Sequence, residues 1–238
     1  MLHSLRLSYR YPTGTTVAPP DVLLQSGQHA LVLGPSGSGK STLLGLWSGL
    51  LTPTSGEVIV GDVRVDRLRG SARDRWRGAH VGFVYQSPRL IESQTVADNI
   101  ELPRRLSAKP VSRAQTLAEM EELRVAHLAA RYPGACSLGE RQRIGILRAV
   151  AHEPTLLLAD EPTSALDRAN ALAVGRLLRE RAERHGATLA IVTHDDRLAP
   201  LFPRTITLGA AAVAKTTDDA PDHGAANHGA SAAPSSPR

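Results

Sequence analysis

The 238-residue sequence predicts an α/β fold with a mainly parallel sheet. Three observations lead to this prediction. Apolar runs at 29–33, 155–159 and 187–193 have the continuous hydrophobicity of strands that are buried on both faces. Helical patterns alternate with these runs, as they do in βαβ units. The region 95–152 is helical and interrupts the alternation, which indicates an inserted helical subdomain.

The individual elements follow from local patterns along the chain. Alternating apolar residues in 1–33 predict short strands and turns, as in an N-terminal antiparallel β subdomain. Thr95, with Asp98 three residues later, is expected to cap a helix, and Gly186 is expected to end another. The other predicted elements are a helix at 41–50, a strand and turn at 56–65, a strand at 81–85, apolar residues at helical spacing over 111–131, and helices at 139–152 and 169–185.

The composition limits the kind of protein and its surroundings. Hydrophobic residues make up 42% of the chain but aromatic residues only 3%, so the core is expected to be aliphatic, with Trp47 and Trp76 packed into it. The net charge of +5 comes mainly from arginine, and no dense Lys/Arg block indicates a nucleic-acid partner. A single cysteine, Cys136, excludes an intrachain disulfide and fits a reducing compartment. No apolar run reaches the roughly 18 residues of a spanning helix, so a membrane role is expected to need a partner.

We predict one domain over residues 1–213, with the helical subdomain inserted at about 87–153. Residues 214–238 are rich in Ala, Pro, Ser, Gly, His and Asp. Such a segment buries too little apolar surface to offset the entropy of ordering it, so it is predicted to be disordered.

A glycine-rich segment follows the first apolar run and matches G-x-x-x-x-G-K-S/T. Glycines let successive backbone N–H groups point at one anion, and the following helix adds its positive dipole end. Lys40 is expected to reach the β- and γ-phosphates of a nucleotide, and Ser41 to ligate Mg²⁺. The alternative is an ordinary glycine turn, but the flanking strand and helix favour a P-loop NTPase core. The predicted phosphate-binding residues are Gly34, Pro35, Ser36, Gly37, Ser38, Gly39, Lys40, Ser41 and Thr42.

Two carboxylates, Asp160 and Glu161, follow the apolar run 155–159. Ligands of α/β sheets lie at the carboxyl ends of the strands. Asp160 is therefore expected to hold Mg²⁺, and Glu161 to orient and polarise the attacking water. An ordinary strand exit would also carry such residues, but the glycine-rich loop favours the catalytic interpretation.

Further motifs occur in a fixed order along the chain. Tyr11 precedes the glycine-rich loop and Gln86 follows a predicted strand; the other segments are S-L-G-E-R-Q-R at 137–143, D-E-P-T-S-A-L-D at 160–167 and V-T-H-D at 192–195. Together they resemble the ATPase domains of ABC transporters over roughly residues 1–213. Within that family, G-F-V-Y-Q at 82–86 and V-A-D-N-I-E-L-P at 96–103 are most similar to the lipoprotein-release and macrolide-export type.

The resemblance implies a role for each matching residue. Tyr11 would stack on adenine, although a strand-edge aromatic would look the same. Gln86 would reach Mg²⁺ or the attacking water, and otherwise is a solvated loop residue. His194 would contact the γ-phosphate, whereas a lone histidine is more often structural. Asp167 would line a dimer interface, and it can also be a helix N-cap.

The segment 136–140 departs from the family pattern Leu-Ser-Gly-Gly followed by Gln or Glu, because Cys136 and Leu138 replace the first and third residues. Ser137 and Glu140 form a predicted capping box. The resemblance also implies that Ser137 and Gly139 meet the γ-phosphate held by an opposite copy. Leu138 would be strained at positive φ but is tolerated as an ordinary first-turn residue, which we expect.

The resemblance therefore implies an ATP-binding and hydrolysing subunit that uses Mg²⁺ and dimerises head-to-tail with a second copy or a related ATPase. It would drive a membrane permease subunit, with residues 87–103 bordering the groove for a permease helix, and would lie on the cytoplasmic face of the cell membrane. A non-transport ATPase acting on DNA or ribosomes usually has a coiled-coil insertion or a second ATPase domain, and neither is seen. The other alternative, suggested by the altered segment 136–140, is an ATP-gated regulator of a membrane or cell-wall partner that hydrolyses ATP weakly or not at all.

Overall fold

The computed structural model describes residues 1–164, 166–209 and 213–215. Its helices are α1 (Lys40–Trp47), α2 (Gly70–His80), α3 (Val96–Leu106), α4 (Arg113–Glu122), α5 (Leu138–Val150) and α6 (Arg168–Arg184). Its strands are β1 (Leu2–Arg10), β2 (Thr15–Val17), β3 (Val22–Leu24), β4 (His29–Leu33), β5 (Ser55–Val60), β6 (Val63–Arg64), β7 (Val81–Val84), β8 (Leu156–Asp160), β9 (Thr188–Thr193), β10 (Arg204–Thr207) and β11 (Val213–Lys215).

A five-stranded parallel sheet forms the centre of the fold, in the order β10-β4-β9-β8-β7. Leu33 pairs with Thr193 and Asp160 with Val192, so the carboxyl ends of the three middle strands meet at one edge. Consecutive residues of β8 pack into different hydrophobic clusters: Leu158 joins the cluster that contains α1, and Leu157 joins the cluster that contains α5 and α6. The predicted α/β fold with a parallel sheet is confirmed.

A second, antiparallel sheet has the order β11-β2-β1-β5-β6, and β3 also pairs with β1. The prediction of short strands in 1–33 is only partly right, because β1 is a single nine-residue strand. Its pairing with β5 shifts between Leu5 and Ser8, where Arg6 has a φ of 45°. The sheet also recruits residues from 55–64 and 213–215, so it is antiparallel but not confined to the N-terminus.

The helices α3, α4 and α5 share a third hydrophobic cluster, which includes Val96, Ile100, Met120 and Ile144. Thr95 caps α3 by accepting a hydrogen bond from the backbone N–H of Asp98 at 3.2 Å, as predicted.

The apolar residues at helical spacing over 111–131 do not belong to one continuous helix. Helix α4 ends at Glu122, Arg124 adopts the left-handed region with a φ of 58°, and Leu128 lies in a 3-10 turn. Met120 and Leu128 are buried in the cluster, whereas Leu117 is 38% exposed.

Helix α2 and strand β10 were not predicted from the sequence. Helix α2 contains three arginines and begins without a side-chain cap, so neither hydrophobic periodicity nor a cap reveals it. Trp76 of α2 and Trp47 of α1 are both buried, which confirms that they are packing residues. Strand β10 shows little burial along its length and extends the sheet beside β4.

Among the described residues, no helix has both the length and the hydrophobicity to cross a bilayer. Strand β11 extends to Lys215, two residues beyond the predicted domain limit at 213, because it pairs with β2. The rest of the predicted disordered tail, residues 216–238, lies outside the described residues.

Candidate nucleotide-binding site

A cavity of about 740 Å³ opens at the carboxyl ends of β4 and β8. Most of the predicted site residues line it, together with Thr15 and Val17, which the sequence did not single out. The lining residues are Tyr11, Thr15, Val17, Pro35, Ser36, Gly37, Gly39, Lys40, Ser41, Thr42, Gln86, Asp160, Glu161 and His194. Thr15 and Val17 carry no motif signal; they reach the cavity because β2 extends the antiparallel sheet over the glycine-rich loop.

The glycine-rich loop between β4 and α1 has the conformation that the motif requires. Gly37 and Gly39 have φ values of 79° and 91°, which side-chain-bearing residues rarely adopt. A Cβ on Gly39 would lie 2.5 Å from Val17 Cγ1, and one on Gly34 would lie 2.5 Å from Ser38 Oγ. Ser38 Oγ is buried and has no hydrogen-bond partner among the described residues. The loop and the start of α1 therefore border the cavity, where the positive end of the helix dipole lies.

Lys40, the first residue of α1, is 7% exposed and lies across the loop. Its ammonium donates hydrogen bonds to the carbonyls of Gly34 at 2.8 Å and Pro35 at 2.9 Å. Its Nζ is also 3.4 Å from Glu161 Oε1. The three donors of the ammonium group thus all have protein acceptors in this structure.

Asp160 is the last residue of β8 and is partly buried beside the loop. Burial raises the pKa of its carboxyl group. A hydrogen bond with Ser41 acts in the opposite direction, and the charge of Glu161 next to it raises the pKa further. The contact joins Ser41 and Asp160, two of the three residues that were predicted to hold Mg²⁺; the third is Gln86.

Glu161 has a φ of 46°, an unusual value for a residue with a side chain. Its Oε2 accepts hydrogen bonds from Thr193 Oγ1 at 2.8 Å and from the backbone N–H of His194 at 3.3 Å, and His194 Nδ1 lies at 3.0 Å. Burial favours a higher pKa for Glu161, but the hydrogen bonds from His194 and Thr193 outweigh it and hold the pKa below its usual value. The carboxylate is therefore ionised at neutral pH and aimed by the end of β9.

Gln86 follows β7 and reaches the same region from the other side. Its Nε2 donates to Ser164 Oγ at 3.0 Å, and that hydroxyl donates to the backbone carbonyl of Glu161 at 3.2 Å. Gln86 is thus connected to the turn that carries Glu161, rather than being only a solvated loop residue.

Tyr11 lies at the mouth of the cavity, where its hydroxyl shares a 2.8 Å hydrogen bond with Thr42 Oγ1. Its ring meets Tyr9 edge-on, with the centroids 4.8 Å apart. The aromatic residue is therefore held in place beside the phosphate loop.

The residues of the altered motif lie outside the cavity of the single chain. Ser137 caps α5, donating its N–H to Glu140 at 2.8 Å and accepting the N–H of Glu140 at 3.4 Å, so the predicted capping box is confirmed. Leu138 is the first residue of α5 and is 58% exposed. Leu138 is not among the described non-glycine residues that have a positive φ. It is therefore an ordinary first-turn residue, as expected.

Asp167 also lies outside the cavity and caps α6. Its carboxylate accepts hydrogen bonds from the backbone N–H of Asn170 at 2.9 Å and from the side-chain amide of Asn170 at 2.6 Å. The capping interpretation of Asp167 is confirmed, which leaves a role at a dimer interface open.

The segment 87–103, which was predicted to border a groove for a permease helix, is partly buried in the core and partly lines an open groove at Leu102 and Pro103. Within 87–103, Leu90, Val96 and Ile100 are buried in the helical subdomain, because the apolar face of α3 packs on α5. An open groove of about 550 Å³ lies instead on the side of α3 that carries Leu102 and Leu106. It is also lined by Leu50, Asp74, Arg75, Arg77, Gly78, Val81, Phe83, Tyr85, Pro103, Arg148, Ala149 and His152.

A phosphate loop, a lysine, and two carboxylates at the end of a buried parallel strand define a P-loop ATPase. The family model described as ABC transporter matches residues 18–164. The chain belongs to this family, and it is an ATP-binding and ATP-hydrolysing ABC transporter subunit.

Individual relatives agree with this assignment. The lipoprotein-releasing system ATP-binding protein LolD of Legionella pneumophila (strain Paris) is 37% identical over 214 residues, which cover 87% of this chain and 94% of that protein. The ABC transporter ATP-binding protein YtrE of Bacillus subtilis (strain 168) is 38% identical over 177 residues, which cover 74% of this chain and 77% of that protein. A dimeric ATP-binding cassette in a post-hydrolysis state, bound to ADP and Pi, superposes with a TM-score of 0.80 at 30% identity, covering 88% of this chain and 95% of that one.

These likenesses bear on the alternatives left open by the sequence. The named relatives are the ATP-binding proteins of a lipoprotein-releasing system and of an ABC transporter, and the structural relative holds ADP and Pi. They favour a hydrolysing transporter subunit over a regulator that only binds ATP, and over an ATPase acting on DNA or ribosomes. The unstrained Leu138 removes the main argument for the regulator.

Proposed function

We propose that the cavity binds ATP with Mg²⁺ and that Glu161 activates the attacking water. The observation that carries this proposal is the position of the Glu161 carboxylate, which lies within hydrogen-bond range of Thr193 and His194 and 3.4 Å from Lys40 of the phosphate loop. An ionised carboxylate held in that way can accept a proton from a water molecule near the γ-phosphate. His194, 60% exposed and fixed by Glu161, would contact the γ-phosphate itself.

The remaining residues of the cavity would bind the nucleotide. The loop 34–39 would surround the phosphates with backbone N–H groups, while Lys40 and Thr42 would contact them with their side chains. Tyr11, held by Thr42, would stack on adenine. Ser38, whose buried hydroxyl has no partner among the described residues, would face the same phosphates.

The residues around Asp160 fit a magnesium ion. The Ser41 hydroxyl, the Asp160 carboxylate and the Gln86 amide all line the cavity, and Mg²⁺ prefers such oxygen ligands with several waters retained. Ser41 and Asp160 are already in hydrogen-bond contact. When bound, the ion would neutralise charge that develops on the phosphate oxygens. Gln86 would connect this region to Glu161 through Ser164.

The test of this proposal is the substitution Glu161→Gln, which keeps the shape but removes the carboxylate. Steady-state phosphate release should fall by at least about 100-fold, because general base catalysis contributes about 10²–10⁴-fold. ATP binding, measured with a fluorescent analogue, should be retained. The matched control is Glu183→Gln on α6, which is exposed and outside the cavity. Equal phosphate release by Glu161→Gln and wild type would refute the role of Glu161.

We further propose that two copies close head-to-tail over ATP. Ser137 and Gly139, at the start of α5, would meet the γ-phosphate bound by the opposite copy, and Asp167 would line the seam. The support is that all three lie at capped helix N-termini outside the cavity of their own chain. With Glu161→Gln and ATP, a dimer should appear in size-exclusion chromatography with light scattering, and Ser137→Arg should abolish it while nucleotide binding to the monomer persists. A dimer that survives Ser137→Arg would refute this arrangement.

The groove beside α3 is proposed to receive a helix of a separate membrane permease. Its rim exposes Leu50 at 46% and Leu106 at 74%, with Phe83 and Tyr85 between them. Such an apolar groove fits one face of an amphipathic helix. Through this contact the chain would lie on the inner face of the cell membrane. The similarity to LolD favours lipoprotein release as the process driven.

The groove proposal predicts that Leu106→Glu separates ATPase activity from membrane association. The variant should retain ATP binding but lose co-purification with the membranes of the cells in which the chain is native. Leu117→Glu, at a 38% exposed position of α4 outside the groove, is the control and should remain membrane-bound. Equal recovery of both variants in the membrane fraction would contradict docking at the groove.

A further inference from the structure

A third cavity, of about 680 Å³, lies at the end of α4 and between α5 and α6. It is separate from the nucleotide cavity and from the groove beside α3, and shares no lining residue with either. The described residues that line it are Glu122, Leu123, Arg124, Arg143, Leu177, Glu180, Arg181 and Arg184, and we refer to it as the arginine cavity.

The charges that line the arginine cavity do not balance. Four arginines face two glutamates, which leaves two positive charges in excess. A single oxygen, Glu122 Oε2, lies 2.7 Å from both Arg181 and Arg184, so one carboxylate serves two guanidinium groups. Glu180 adds only a 3.4 Å contact with Arg184. Like charges this close repel each other strongly when they are partly shielded from water.

Two of the arginines are less well balanced by carboxylates, and for Arg143 the described residues provide only the more distant charge of Glu140, whose pKa it helps to lower. Arg124 and Arg143 form no ion pair within 4.0 Å there. Arg124 reaches the cavity from a left-handed turn with a φ of 58°. The ion pairs of Glu122 with Arg181 and Arg184 are sufficient to link α4 to α6. A purely structural role of the cluster therefore does not explain Arg124 and Arg143.

Arg181 is the most buried member of the set. Its side chain is 4% exposed, yet its Nε has no hydrogen-bond partner among the described residues. The Nε of Arg143 is likewise buried without a partner there. A buried donor without an acceptor costs about 1–3 kcal/mol, and more when it is charged. An anion in the arginine cavity would supply acceptors to both groups.

We propose that the arginine cavity binds a phosphate-bearing dianion, as free phosphate, a phosphomonoester or the headgroup of an anionic phospholipid. The planar fork of arginine matches the oxygens of a phosphate group and donates two parallel hydrogen bonds. A phosphomonoester carries a charge of about −1.5 to −2 at neutral pH, which matches the excess of two positive charges. The bound group would bridge α4, α5 and α6.

The test measures binding of inorganic phosphate by isothermal titration calorimetry, with the nucleotide cavity first saturated by a non-hydrolysable ATP analogue and Mg²⁺. The double variant R124Q/R184Q removes two exposed arginines of the cavity, and thermal melting checks that it is folded. The matched control is Arg176→Gln, an exposed arginine of α6 that does not line the cavity. We expect saturable binding to the wild type and to Arg176→Gln, weakened at least tenfold in R124Q/R184Q.

Two further titrations distinguish the sources of the ligand. Glycerol 3-phosphate represents soluble phosphomonoesters, and vesicles containing phosphatidate, compared with phosphatidylcholine alone, represent phospholipid headgroups. Tighter binding of any one of the three probes that depends on Arg124 and Arg184 supports the proposal and identifies the source. The proposal is overturned if none of the probes binds, or if the double variant binds all of them as the wild type does.

Discussion

His152 should make the protein sensitive to mild acid, and the structure gives the size of the effect. The imidazole is 3% exposed, and its Nε2 donates to the backbone carbonyl of Val81 at 3.2 Å. Its Nδ1 is buried and has no partner among the described residues. A proton added at Nδ1 would therefore be a charge without water or a carboxylate beside it. Burial accordingly lowers the pKa of His152 from 6.5 to about 4.

The sign of the effect follows from proton binding in the two states. Below its ordinary pKa of 6.5, His152 takes up a proton in the unfolded chain, but the folded protein resists this until about pH 4. Lowering the pH from 6.5 to about 4 therefore reduces the free energy of unfolding, whereas above pH 6.5 His152 causes no such loss. One pKa unit corresponds to about 1.4 kcal/mol, so the full loss by about pH 4 is about 3 kcal/mol.

The assay is urea unfolding of wild type and His152→Gln at several values between about pH 7 and about pH 4.5, where linear extrapolation gives the free energy of unfolding. Glutamine does not titrate and can still donate to Val81. The variant should lose about 2–3 kcal/mol less than the wild type over this range, whatever its stability at neutral pH. His127→Gln, at a 65% exposed position, is the control and should follow the wild type. Parallel losses in wild type and His152→Gln would refute the argument.

Three other substitutions test local features of the site. Gly39→Ala should abolish nucleotide binding in a filter or fluorescence assay, because its φ is 91° and the new methyl would meet Val17 at 2.5 Å; normal affinity would contradict the loop geometry. Leu138→Gly should change steady-state phosphate release by less than about threefold, since the residue is unstrained, while lowering the free energy of unfolding by up to about 1 kcal/mol through helix propensity. Asp167→Ala should cost about 1 kcal/mol in urea unfolding through the lost cap on Asn170, and an unchanged midpoint would count against that cap.

The nucleotide site was largely predictable because its residues are neighbours in sequence. The loop 34–42 and the pair Asp160 and Glu161 each follow a buried strand, and parallel strands bring their carboxyl ends together at one edge. The structure places Gln86 and His194 at the same edge for the same reason, since each follows a strand of that sheet. Short local motifs plus one rule of sheet topology were therefore sufficient to assemble the cavity.

Features that depend on distant contacts were not predictable. No pattern in the sequence shows that β2 lies over the loop, so Val17 was missed as the residue that excludes a side chain at Gly39. The apolar positions of 111–131 have helical spacing but belong to a helix and a separate turn, because burial in one cluster does not require one element. The arginine cavity joins 122–124, Arg143 and 177–184, and only the fold brings these segments together.

The left-handed backbone at Glu161 helps to fix the position of its carboxylate. Such a φ costs a residue with a side chain about 1–2 kcal/mol, and it is retained where surrounding contacts impose it. Here Thr193 and His194 fix one carboxylate oxygen, while Lys40 approaches the other. The position of the carboxylate is thus held by the end of β9 together with Lys40.

Lys40, unlike Glu161, would have to change its contacts when a nucleotide binds. Its ammonium is directed to two loop carbonyls and to Glu161, so it can contact a phosphate only by exchanging some of these acceptors for phosphate oxygens. The contact with Glu161 is the longest of the three and is the first expected to be exchanged. Nucleotide binding would then release one oxygen of Glu161 while Thr193 and His194 still hold the other. The carboxylate would become free to accept a proton at the moment when a γ-phosphate is present.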